Sequence, residues 1–151
     1  MRISEYTSRV VEAVKNYFPT FPNVQKFAGE FRLESDAKLS FPTPALFIGL
    51  VSASAPPREF GQFNLRLDYV GVIVLNDLNV AQRDFSGWNY LEELILSLDS
   101  IIAFSSNDVM LVGYGTATKT DRPSPNSNAG YSYWQVPFTV YFRSEALLPR
   151  E

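Results

Sequence analysis

Carboxylates are the side chains left in this sequence to act as a general acid, a general base or a hard-metal ligand set. The 151 residues include no histidine and no cysteine. Their absence removes thiolate zinc sites, disulfide scaffolds, haem attachment, cysteine nucleophiles, a Ser-His-Asp triad and any histidine switch. Asp77 follows the strongest strand pattern, and Asp84 precedes the longest helix pattern. As chemistry, the two would form an acid/base pair or a metal site on that connection. As structure, they cap a helix and make a turn. No D-x-D-x-D-G pattern is present, which leaves capping as the expectation. Glu92 and Glu93 are adjacent, so they point about 100° apart on a helix and cannot converge on one bond. Gly113-Tyr114-Gly115 lacks the third glycine and the following helix of a dinucleotide loop. A bulge or a close backbone approach accounts for it better. No catalytic, cofactor-binding or metal-ligating residue is therefore assigned. The chain is read as a non-enzyme without a cofactor.

Aromatic residues carry the remaining signal: twelve Phe, eight Tyr and two Trp. Tyr131, Tyr133 and Tyr141 fall on one face of the last strand pattern, with Tyr114 expected near them. They suit three roles: a base-stacking platform, a protein interface, or packing beneath helices with hydroxyls at the rim. Stacking on nucleic acid wants interleaved cations, and none lies between Arg122 and Arg143. A net charge of −3 and a pI near 5.0 weigh the same way. Two polar loops offer contact material. One is a hairpin tip with Pro57, Arg58, Glu59 and Phe60, read either as a docking arm or as a tolerated surface loop. The other is Thr120–Gly130, rich in turn residues, with Arg122 and Asn126. With Tyr131, Tyr133 and Pro137, these are the candidate subunit or partner contacts.

The elements that position them follow from periodicity. Ile3, Tyr6, Val10, Val11, Val14 and Phe18 recur at helical spacing, so a helix is expected over 4–17, capped by Ser4 and ended by Pro19 and Pro22. Lys26–Leu33 reads as a short strand. Ala45–Val51 is a buried strand, Ser52–Gln62 a loop, and Phe63–Asn76 a strand covered on both faces beyond Val70. The last two strands form an antiparallel hairpin. Asp84–Phe104 is a helix with Trp88, Leu91, Leu94, Ile95, Leu98, Ile101 and Ile102 on its buried stripe, started by Asp84 or Ser86. Val109–Thr118 and Tyr131–Arg143 are strands. Pro137 cannot donate to a ladder, so the last strand lies at an edge or contains a bulge. The order α-β-β-α-β-β predicts one α+β domain over 1–143, with a mainly antiparallel sheet and both helices on one face. Residues 144–151 read as a tail. The N-terminus has no apolar h-region, and no apolar run approaches the roughly 20 residues of a membrane span. A soluble protein without a membrane partner is expected.

Several passages, taken in order, resemble the tail-terminator or tail-completion proteins of tailed bacteriophages, including those of contractile-tailed, Mu-like phages. They are the N-terminal amphipathic helix, the proline-rich passage into FPTPALFIGL, then LRLDYVGVIVLND, DFSGWNYLEELILSL and the closing YSYWQVPFTVYF. The resemblance spans about residues 1–143 and is one of element order rather than of a sharp motif. It implies a small α+β subunit of a hexameric ring. Such a ring caps the head-proximal end of the tail tube and joins it to the head. The implied partners are copies of itself, a tail tube protein and a head-completion protein, with DNA only passing through the lumen. The implied location is the virion tail, assembled in the bacterial host cytoplasm. Other head-tail connectors and minor tail proteins share this general pattern. From the residues alone, a cytoplasmic binding module that uses an open sheet face stays open as the alternative.

Overall fold

The computed structural model describes residues 2–26, 43–58, 61–76, 80–103, 108–123 and 130–144. Helix α1 covers Ile3–Tyr17, and its stripe Tyr6, Val10, Val11 and Val14 is buried as the spacing predicts. Ser4 does not cap it. The cap position is Arg2, in extended backbone and without a side-chain cap bond. Ile3 packs against the core, which draws the first turn one residue earlier. The helix stops at Tyr17, ahead of Pro19, and Phe18 turns inward.

Six strands form one sheet: β1 (Asn23–Lys26), β2 (Ala45–Ser54), β3 (Leu65–Leu75), β4 (Val109–Tyr114), β5 (Thr118–Pro123) and β6 (Gly130–Phe142). Helix α2 (Val80–Ala103) joins β3 to β4. The sheet order is β1-β2-β3-β6-β4, with β5 also paired to β6. Only β1 with β2 is parallel. Both helices pack on one face, where Leu46, Ile48, Leu67, Tyr69, Ile73, Trp134, Val136, Phe138 and Val140 meet them. This is the expected single-domain α+β fold. A smaller cluster of Ala45, Phe47, Val72, Val74 and Tyr131 occupies the opposite face. Val72–Leu75 is therefore buried on both sides, which is why its sequence runs continuously apolar.

Several boundaries differ from the sequence reading. The first strand is Asn23–Lys26, while residues 27–33 lie outside the described ones. β2 continues to Ser54, because it stays paired with Arg66–Asp68 past a register shift between Leu50 and Ser52. Phe63 precedes β3 and packs on Tyr141, 6.2 Å between centroids. Ser144 is buried and exchanges two 2.8 Å hydrogen bonds with the Asn64 side chain, so the domain extends one residue past Arg143.

Helix α2 departs most. It begins at Val80, so Asp84 and Ser86 lie inside it and do not cap it. Its sheet-facing stripe is Arg83, Gly87, Leu91, Leu94 and Leu98, all buried. Trp88, expected on that stripe, is exposed. The reason is Trp134, which rises from β6 into the space where a side chain at position 87 would lie. The sheet supplies the large residue and the helix the small one.

The stretch read as one strand from Val109 to Thr118 is two. Nine residues separate Val109 from Thr118, but their partners Phe142 and Gln135 are only seven apart. Two one-residue slips produce this, one at Val112 and one between Tyr114 and Thr118. Each slip exchanges the faces of the strand, and two restore them. Hence Leu111, Tyr114 and Lys119 all face the helices. Pro137 sits opposite the break. Its carbonyl accepts from Gly115 N–H at 2.8 Å, and in an antiparallel ladder N–H and C=O point the same way. The absent Pro137 N–H therefore faces the break and interrupts no ladder bond. Neither expected placement holds for β6: it is a central strand in unbroken register with β3, and the extra residues lie across from it, within β4 and between β4 and β5. A Cβ on Gly115 would lie 2.6 Å from the Pro137 ring, so the glycine serves close approach, as its sequence context predicts.

Candidate functional site

A polar network, buried at Arg83 and Ser132 and nearly half exposed at Asp84 and Asp121, lies where the N-terminal turns of α2 cross β5 and β6. Arg83 is buried and donates through Nε to Ser132 Oγ at 3.0 Å and through Nη1 to the Gly130 carbonyl at 3.4 Å. Ser132 in turn donates to Asp121. Lys119 Nζ forms ion pairs with Asp84 and, at 3.2 Å, with Asp121 Oδ2. It also lies 5.9 Å from the Trp134 ring centroid, at the limit of a cation–π contact. Burial disfavours the charged form of Lys119, but the hydrogen bonds and charges of Asp84 and Asp121 outweigh it and raise its pKa. Burial likewise opposes Asp121 ionisation, yet bonds from Ser132 and Lys119 and the charge of Arg83 hold its pKa below the usual value. Two cations meet two carboxylates here, so the network clamps α2 to the sheet. Asp84 thus takes an ion-pair role and does not cap α2, and Asp77 lies outside the described residues. Among the described residues, no three carboxylates gather as a metal site.

A second polar group lies on the face opposite the helices. Asp68 accepts from Thr139 Oγ1 at 2.6 Å, Ser52 Oγ at 3.0 Å and Arg66 Nε at 3.3 Å. Partial burial opposes its charge, but these bonds and the Arg66 charge lower its pKa. At the other end of the scale, burial raises the phenols of Tyr6 and Tyr114, Tyr114 also through Asp99, and pushes Tyr69 up to about 12.

These directions fix a pH profile. The lowered Asp68 and Asp121 contribute stability above the unfolded carboxylate pKa near 4, which is lost as pH falls through their folded values. The raised tyrosines and Lys119 contribute stability below about pH 10, lost as pH climbs toward their folded values. A thermal melt is expected to plateau between about pH 5 and pH 9 and to fall on both sides. Asp68→Asn should shallow the acid limb and leave the alkaline limb in place. An unchanged acid limb would refute that carboxylate's contribution.

The sequence-predicted contact residues separate into two groups. Pro57 and Arg58 are exposed beyond the β2–β3 hairpin, while Glu59 and Phe60 lie outside the described residues. Arg122 stands opposite Tyr131 in the β5–β6 ladder, and its side chain lies outside the description, as does Asn126. Leu65 pairs with Phe142, so the hairpin lies toward the opposite end of β6 from Tyr131. The two groups are separated by most of a 13-residue strand, about 40 Å long. Tyr131 and Tyr141 are buried and Tyr133 is half-buried, so the tyrosine face is not an open platform. Pro137 is exposed on that face. Tyr114 is not near these tyrosines. It lies on the helix side, where its hydroxyl donates to Asp99 at 2.6 Å.

Sequence reasoning missed the most exposed apolar feature. Phe85, Trp88 and Leu96 are 76%, 44% and 60% exposed along the outer face of α2. With Glu92 they fall at spacings of three, four and four, a second stripe opposite the one that meets the sheet. That spacing is visible in the sequence, but assigning Trp88 to the core hid it. Among the described residues, no helix is long and apolar enough to cross a membrane. Comparison with known proteins finds no matching family model and no matching curated protein.

Proposed function

We propose that this chain is a structural assembly subunit, a ring-forming protein at the head-proximal end of a phage-type tail. The observation that carries the assembly part is the outer face of α2, where two aromatic side chains and a leucine stand in water along one line. Large apolar side chains grouped on one exposed helix face in this way point to an interaction site. The element order and α+β fold support the tail-terminator reading, in which the partners are further copies, a tail tube protein and a head-completion protein. The alternative, a monomeric module binding through an open sheet face, has less to stand on because Tyr131 and Tyr141 are buried.

Light scattering after size exclusion, across a range of concentrations, tests this reading. A species of roughly six times 17.0 kDa is expected, with a central hole in electron micrographs. Phe85→Ser combined with Leu96→Ser is expected to reduce it to monomer while moving the melting temperature by only a few degrees, as for exposed positions. A wild-type chain that stays monomeric both alone and with purified tail tubes would overturn the proposal.

A further inference from the structure

The tip of the β2–β3 hairpin and the outer face of α2 are complementary surfaces. At the tip, Pro57 and Arg58 are exposed, and every residue of the stem from Val51 to Ser54 is exposed as well. Pro56 and Pro57 are consecutive, which fixes φ near −65° at both and leaves little freedom to lose on docking. Proline pairs of this kind lie well against aromatic side chains, and Phe85 and Trp88 are presented together on α2. Charge agrees. Glu92 and Glu93 are exposed, and among the described residues neither has an ion-pair partner. Arg83 is the only basic residue in α2, and it is buried. Arg58 is the exposed cation of the tip and likewise has no described ion-pair partner. Two α2 faces packed on each other would instead oppose four carboxylates with no cation between them.

We propose that the hairpin tip of one copy docks across the outer face of α2 in the next copy, with Pro56 and Pro57 on Phe85 and Trp88 and Arg58 at Glu92. This rests on the ring reading and specifies its contact. One copy cannot satisfy itself, since the tip runs off the end of the sheet while the stripe faces away from the sheet. The contact joins two different patches, so it is head-to-tail and closes into a ring when the rotation per copy permits. Glu59 follows Arg58, so the tip carries little net charge. The apolar contacts hold the copies together and the Arg58–Glu92 pair sets their register.

The chain has no cysteine, which makes cross-linking clean. Arg58→Cys and Glu92→Cys are made as separate full-length variants, mixed, and oxidised. The mixture is expected to give a disulfide-linked dimer that neither variant gives alone. The double variant is expected to give a ladder ending at the ring size. Arg58→Glu should weaken association about fivefold to tenfold, and Glu92→Lys in the same chain should restore it. Wild-type assembly without the mixed cross-link would overturn this contact and leave the ring reading standing. Cross-links within the Arg58→Cys variant alone would replace it with a tip-to-tip contact. A wild-type chain monomeric at all concentrations, with or without tail tubes, would overturn both.

Discussion

Gly87→Ala is expected to destabilise the fold by about 3 kcal/mol and lower its melting temperature by about 10 °C. The sign is the informative part. At an ordinary helix-interior position, alanine gains about 1 kcal/mol over glycine. At position 87 the added methyl would overlap the six-membered ring of Trp134, which is fully buried in β6. Trp134 cannot swing away without displacing the core around it. The overlap is severe enough to cost about 4 kcal/mol, above the common range for overpacking, which more than cancels the helix gain. Chemical denaturation of four proteins checks this: wild type, Gly87→Ala, Trp134→Phe and the double variant. Trp134→Phe removes bulk and an indole N–H that has no hydrogen-bond partner among the described residues. The double variant should therefore be more stable than the two single losses predict, by more than 1 kcal/mol of coupling. Additive losses, or a stabilising Gly87→Ala, would show that the helix does not ride on the indole.

Arg83→Met should cost about 2 kcal/mol, by a different mechanism. The methionine fills similar volume, so packing is largely kept. What is lost is the donor to Ser132 and to the Gly130 carbonyl, and one of the two cations that hold Asp121 charged. The loss falls on the buried end, where Ser132 and the Gly130 carbonyl are left without their donor, while Asp121 keeps Lys119 and water. Arg83→Lys is expected to recover less than half of the loss, because a single ammonium cannot reproduce a fork that bonds two acceptors. Denaturant midpoints at neutral pH measure both variants. Repeating them at successively lower pH should narrow the difference as the pH falls through the lowered folded range of Asp121, since protonating it removes the charge that Arg83 answers. An equal loss across the whole acid range would place the effect in packing instead.

These two positions also show where sequence reasoning stops. The apolar stripe of α1 and the alternating faces of β6 were legible, because local periodicity and burial agree there. Leu91, Leu94 and Leu98 set the phase of α2 correctly. Its first turns were misread because the inward residues are an arginine and a glycine, which no hydropathy pattern counts as core. Trp88 was counted inward for the converse reason, being large and apolar. Both errors have one cause, a tryptophan 47 positions further along the chain that occupies the space beneath position 87. Long-range size matching of this kind leaves no trace in a local window. The candidate contacts fared similarly. The surface position of Pro57 and Arg58 is legible because turn chemistry is local, and both are exposed. Tyr131 was placed among them because alternation alone cannot tell that the face opposite the helices carries its own small core. Lys119 and Asp121 are hidden because the turn-rich composition of Thr120–Gly130 reads as a loop, whereas β5 runs from Thr118 to Pro123 and carries both side chains beneath α2.

The split between β4 and β5 has a further consequence for how copies of this chain can join. A sheet edge of regular, unbroken strand is a template on which any extended chain can add, one backbone hydrogen bond after another, with little regard for sequence. The outer edge formed by β4 and β5 slips by one residue within β4 and by one more between β4 and β5. An extended strand laid against one segment falls out of step at the other. The ladder therefore cannot propagate from copy to copy. On the ring reading proposed above, association is then left to side chains, whose contacts depend on sequence and geometry, and growth stops at a closed set rather than running on as a fibril.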